Sequence, residues 1–215
     1  MPRKRTLAAL AVTGLLAVPA VAWATLDNVP ESAPDANPSC PESPCLAISR
    51  TIGYQAKVGP NRGLMTVKRD GRLVSWSIKL GKPNRQQIEF FNERLGGEAT
   101  AQIAVLRMGN KLRARVVALS EPVKLTKYFG KTVEFPLEQT IPVKKGYIIA
   151  LSVPTWAPAL AVNQGGDTSW RASRKKGTCD DTQAQTAYPE GAVPQFYCLY
   201  RTARVMYSAR VISTP

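Results

Sequence analysis

The chain predicts an all-β fold: a two-sheet antiparallel sandwich of jelly-roll type, set behind a signal peptide and a Pro-rich tether. Three observations carry this. From Ala47 onward the apolar runs are short and broken by Gly, Pro and Asn, which is the spacing of an all-β domain. Residues 73–80 alternate, with Val74, Trp76, Ile78 and Leu80 on one side and Leu73, Ser75, Ser77 and Lys79 on the other. Turn chemistry recurs between the runs, as Asp70-Gly71 and Gly109-Asn110 illustrate. About ten short strands joined by tight turns need two layers to bury one face each.

The elements follow in chain order. Arg3, Lys4 and Arg5 precede an apolar run over residues 7–21, and Ala22-Trp23-Ala24 supplies a small-x-small cleavage pattern. The run is short for a membrane span and is interrupted by Thr13, Gly14 and Pro19. Residues 1–24 therefore read as a secretory signal, and the mature protein is expected to be extracellular or cell-wall associated with no transmembrane segment. Residues 25–46 carry Asp27, Glu31, Asp35 and Glu42, five prolines and no Lys or Arg. With no apolar period, this stretch is expected to be a mobile acidic tether.

The remainder, residues 47–215, suffices for one domain with a substantial core. Within it residues 64–68 are expected to form a hairpin with 73–80 through Arg69-Asp70-Gly71. A second hairpin joins 100–107 to 112–120 through Gly109-Asn110-Lys111, with Arg113 and Arg115 opposite Ala114, Val116 and Ala118. Further strands are expected at 124–129, 132–137, 147–153 and 169–173, with a long, bending one at 197–211. Residues 86–95 suggest the one helical turn, stopped by Gly96-Gly97.

Composition narrows the chemistry. The chain has no His, so Ser-His-Asp, Cys-His and HExxH sites are excluded, together with the usual acid/base near neutral pH. Four Cys, at positions 40, 45, 179 and 198, are an even count in an exported chain. They allow three pairings, and the sequence favours Cys40–Cys45 and Cys179–Cys198. Their spacing does not suit zinc, and no metal or cofactor is expected.

Formal net charge is +14, and all but three of the 29 Lys and Arg lie from Ser49 onward with 11 of the 15 acids. Such a domain attracts anionic partners: acidic polysaccharide or cell-wall polymer rather than specific nucleic acid. Charges scattered over a soluble surface are the plainer reading.

Candidate binding residues are aromatic or basic. Trp156 lies between Pro154 and Pro158, where a stiff loop would offer its ring to a sugar; folding back onto the core competes with this. Trp170 and Arg171 precede the densest basic run, Arg174-Lys175-Lys176, on a strand leading to a hairpin tip. Tyr200 and Arg204 alternate with Thr202 on one face of the last strand, a rigid platform suited to carboxylates, while Arg201 falls on the apolar face.

The acids offer less. Glu89 and Glu93 share a helical face without an opposed acid, and Asp180-Asp181 lacks the spacing of a calcium loop. Ser173 and Lys176 match Ser-x-x-Lys without its partner motifs, a chance match. The reading is a non-catalytic surface or matrix module for an anionic glycan or cell-wall polymer. A His-independent polysaccharide lyase, built on Tyr200, Arg204 and the 171–176 cluster, is the enzymatic alternative. A structural or protein-binding module with no small ligand is the third.

Three phrases carry a resemblance: Leu73-Val-Ser-Trp-Ser-Ile-Lys-Leu-Gly81, Tyr147-Ile-Ile-Ala-Leu-Ser-Val-Pro-Thr-Trp-Ala-Pro-Ala-Leu160 and Tyr197-Cys-Leu-Tyr-Arg-Thr-Ala-Arg204. They resemble a group of exported proteins of high-GC Gram-positive bacteria to which no function is assigned. The resemblance spans about residues 47–211, taking the chain as one domain, and implies one exported β-sandwich and no particular activity.

Overall fold

Strand-forming runs that are apolar on one face fold here into two packed antiparallel sheets, as the alternation requires. The computed structural model describes residues 23–32, 34–181 and 185–213, so all but the last two residues of the expected signal lie outside them. The smaller sheet orders β1 (Thr25–Val29), β14 (Tyr207–Ser213), β4 (Gly71–Lys79) and β8 (Thr132–Val143). The larger runs β12 (Cys198–Arg201), β11 (Ser169–Ala172), β2 (Ile48–Val58), β9 (Ile148–Ala157), β5 (Thr100–Met108) and β6 (Ala114–Leu119). Short β3 (Asn61–Arg62) and β7 (Val123–Lys124) add to β2 and β5, and β10 (Leu160–Ala161) pairs β13 (Arg204–Val205). Trp76, Ile78, Ile103, Leu151 and Val211 belong to one continuous core. The Tyr207 hydroxyl crosses it to donate to the Ile149 carbonyl at 2.9 Å.

Several expectations hold. β5 and β6 pair through the Gly109 turn, whose Arg113 N–H reaches the Asn110 carbonyl at 3.1 Å. The helix α1 spans Arg85–Arg94, with Asn84 and Gln87 forming a reciprocal capping box that satisfies its first N–H groups. Gly96 and Gly97 follow at φ +95° and +101°, conformations that stop a helix and suit glycine. Both disulfides form as expected, Cys40–Cys45 and Cys179–Cys198.

Four expectations are corrected. In β4 the buried side chain is Leu73, while Val74 is only half-buried. A bulge at Val74, seen as a register shift against both β14 and β8, switches the inward parity before Trp76 and Ile78. Residues 64–68 pair with the start of β9 rather than with β4: Val67 N–H donates to the Tyr147 carbonyl at 2.8 Å and Ile149 N–H to Met65 at 2.9 Å. Gly71 opens β4 instead of turning a hairpin. A Cβ there would sit 2.3 Å from the Ile212 carbonyl oxygen, so close backbone approach requires the glycine. Residues 124–129 end in a 3-10 turn over Thr126–Tyr128 rather than a strand.

The tether is the fourth correction. β1 pairs with β14 along its whole length, and Val29, Ser39 and Cys40 are buried. Lys79 Nζ holds the Ala36 carbonyl at 2.9 Å and Asn37 Oδ1 at 2.7 Å, and Ser39 N–H reaches the Leu160 carbonyl at 2.9 Å. Main-chain hydrogen bonds, which need no apolar period, bind this segment to the domain. No helix among the described residues is long and apolar enough to cross a membrane.

Candidate ligand cavity at the β11–β12 edge

β12 lies at one end of the larger sheet, and its pairing with β11 sets Trp170 directly opposite Tyr200. Side chains two residues apart share a face, so Trp170 and Arg174, the latter just past the strand, are brought to the side that Tyr200 and Cys198 occupy. The indole fits because β2 offers Gly53 beneath it: a Cβ there would meet Trp170 Cζ3 at 2.9 Å and Cε3 at 3.0 Å. Trp170 and Tyr200 stack at 4.7 Å between ring centroids, 26° from parallel.

Beside this stack is a cavity of about 360 Å³. Trp170, Arg174, Tyr200 and Arg201 form its polar wall together with Ser49, Asn163 and Thr202. Pro44, Leu46, Ala47, Ile48, Leu160, Val162 and Ala203 form the apolar one. No Asp or Glu is among the described residues that line it. A concave, mostly apolar space with a few convergent polar groups is the usual form of a ligand site.

Arg174 organises the wall. One terminal nitrogen donates to the Cys179 carbonyl at 3.2 Å and to the Tyr200 hydroxyl; the other reaches the Ser49 carbonyl at 3.3 Å and Gln185 Oε1 at 2.5 Å. All these acceptors are neutral, and Arg174 makes no ion pair with a described residue. Its Nε–H is buried without a hydrogen-bond partner among the described residues, and so is the indole N–H of Trp170. The Tyr200 hydroxyl donates to the Cys179 carbonyl at 2.5 Å, so the Cys179–Cys198 disulfide, Tyr200 and Arg174 fasten one another. Burial pushes the Tyr200 phenol above its ordinary value; the nearby Arg174 opposes that shift, and the Asp180 carboxylate adds to it.

The other expected site residues are elsewhere. Trp156 is not on a loop; it lies in β9 and is 0% exposed. Its N–H donates to Asn92 Oδ1 at 3.0 Å and the Gly97 carbonyl at 2.9 Å, and its ring packs on Phe91 and Phe129. The flanking proline misled because Pro154 sits where β2 and β9 slip register, and a bulge tolerates the missing N–H. Arg171 points to the opposite face from Trp170 and donates to the Phe196 and Tyr197 carbonyls at 3.2 and 3.0 Å.

Arg204 is separated from Tyr200 by a break at Thr202, whose φ of +54° ends β12. It pairs instead with Asp35 at 2.6 Å. The Tyr–Arg platform expected along one strand is therefore not formed. Lys175 and Lys176 are exposed on the turn after β11, as expected for a tip, and adjoin the cavity without lining it. Ser173 is buried and accepts the Ile52 N–H at 2.8 Å, so its hydroxyl is committed to holding two strands.

Sequence reasoning missed the wall contributed by Pro44, Leu46 and Ser49, which belong to or border the supposed tether. It also missed Gly53. A glycine inside a strand, marking close approach by another group, was the available signal. No family model, curated protein or solved structure matches the chain.

Proposed function

We propose that the protein is an exported, non-catalytic module that binds an anionic glycan or cell-wall polymer at the β11–β12 edge. The observation that carries this reading is the convergence there of cations that make no ion pair with a described residue. Arg174 and Arg201 line the cavity, Lys175 and Lys176 stand on the adjoining turn, and none of the four makes an ion pair with a described residue. Cations that make no ion pair with a described residue favour a polyanion and steer it to that edge. Two disulfides suit an oxidising compartment, in keeping with export.

The geometry favours binding over lyase chemistry. A phenolic base must give up its proton readily and meet substrate. The Tyr200 hydroxyl is engaged by the Cys179 carbonyl and Arg174, and burial raises its proton affinity. Arg204, the expected carboxylate clamp, is held by Asp35.

The test is binding of the oxidised protein to immobilised polygalacturonate and to neutral dextran across a salt series. Polygalacturonate should be retained, dextran should not, and retention should fall as salt rises. Replacing Lys175 and Lys176 by Glu should weaken retention several-fold. Equal retention of the two polymers, or indifference to both salt and charge reversal, overturns the reading.

A further inference from the structure

We infer that the 360 Å³ cavity is an end-group pocket: it takes one oxyanion-bearing, sugar-sized terminus of the polymer, held by the Trp170 N–H and the Arg174 guanidinium. This rests on the polyanion reading above and adds where and how the ligand is gripped.

The argument begins with the two orphan donors. Buried N–H groups are nearly always paired, and one left without an acceptor costs about 1–3 kcal/mol. Here two occur on residues that line one cavity, Trp170 Nε1 and Arg174 Nε. Trp170 is only 4% exposed. Its Cε3–Cζ3 edge is pressed over Gly53, and the nitrogen lies on the opposite edge of the indole. One face is taken by Tyr200 and the ring is almost wholly buried, so it cannot also stack on a sugar. What Trp170 offers is a hydrogen bond.

Both orphans are donors only, and so is the rest of a guanidinium. Their complement is an acceptor, and beside an arginine that makes no ion pair with a described residue the strongest acceptor is a carboxylate or phosphate oxygen. No acid among the described residues lines the cavity to compete with it. Both residues line the cavity, and small side-chain rotations of the kind common on binding would bring their buried N–H groups to a ligand oxygen. The exposed Arg201 stands at the rim to close over the ligand.

Size sets the rest. Ligand cavities run from about 300 to 1,000 Å³, and this one is near the lower bound. It admits one sugar-sized unit, with apolar Leu46, Leu160 and Val162 against the carbon skeleton. The remainder of the polymer then runs out over Lys175 and Lys176.

The test follows the indole N–H resonances of the ¹⁵N-labelled oxidised protein during titration with glucuronate, glucose 6-phosphate and glucose. The Trp170 resonance, assigned by its loss in Trp170→Phe, should shift saturably with an acid and not with glucose, while that of Trp156 stays fixed. Response to glucuronate alone assigns a uronate terminus, to the phosphate alone a phosphate polymer, and to both an unspecific oxyanion pocket; each supports the inference. Trp170→Phe and Arg201→Gln should each weaken the acid at least fivefold by calorimetry.

Absence of a saturable shift with both acids, or an equal shift with glucose, overturns the pocket. The two readings fail separately. Salt-sensitive retention of polygalacturonate without a Trp170 response leaves surface binding and removes the pocket. Acid binding without polymer retention does the reverse.

Discussion

Trp156 and Trp170 are both buried strand tryptophans of the larger sheet, yet they are treated in opposite ways. The first spends its N–H on two acceptors, Asn92 and Gly97, and its ring on Phe91 and Phe129. The second is stacked on Tyr200 and leaves its N–H unsatisfied beside a cavity. The difference separates an indole that locks α1 onto the sheet from one that holds a donor ready.

The largest expected effect tests the locking. Trp156→Phe and Trp170→Phe both truncate a buried ring, so their common cost cancels in comparison. Trp156→Phe additionally strips the Asn92 and Gly97 oxygens of a donor and should be less stable than Trp170→Phe by about 1–3 kcal/mol in denaturant unfolding. Equal stabilities would mean that the Trp156 hydrogen bonds contribute nothing and that the contrast is empty.

A somewhat smaller effect tests the seat of Trp170. Gly53→Ala places a methyl 2.9 Å from the indole, within a packed wall. The expected loss is about 1–2 kcal/mol, toward the low end for overpacking because one ring edge can move. Acid binding should fall with it as the N–H is displaced. An unchanged unfolding midpoint and unchanged affinity would show that the indole is loosely held.

The smallest concerns pH. The ring and N–H partners of Trp156 do not titrate, whereas Trp170 stacks on a phenol whose proton affinity is raised by burial. A raised folded value means that the contribution of neutral Tyr200 is complete below the ordinary tyrosine range, near pH ~10, and is lost as pH climbs through the folded value. Thermal scans should show a shallower alkaline decline for Tyr200→Phe than for the parent. Tyr207, raised further by complete burial, should keep the larger share of that decline. Identical alkaline profiles would place the effect on Tyr207 and Tyr54, the other two phenols that burial raises.

Local chemistry was legible in the sequence where it alone decides the structure. The Gly109 hairpin, the Asn84-capped helix stopped by Gly96 and Gly97, and both disulfides follow from short-range rules. Trp170, Arg174 and Tyr200 could be named because strand and turn place them near a basic tip. That they meet across a strand pair required the register.

Bulges account for two errors. At Val74 one extra residue exchanged inside for outside, and at Pro154 a slip let a proline stay within a strand and buried Trp156. Alternation cannot register an inserted residue. The segment at 25–46 was misread for another reason: its attachment comes from main-chain hydrogen bonds and from Lys79 and Gln87, partners distant in sequence.

The pairing of β1 with β14 has a consequence for how the molecule is made. Asp27 and Ser213 bond to each other across 186 positions, and β14 is the strand that stands between β1 and β4. The strand made first is therefore seated last. Until residue 213 is free, β1 has no neighbour and the inner edge of β4 stays open, a template for pairing with other chains. Such distant contacts also make folding slow, because loop closure must precede any gain from them. The sheet is thus completed only once β14 has been made. Because the first and last strands lie side by side, joining them by a short linker and opening a new terminus at the Gly109 turn should leave a foldable circular permutant.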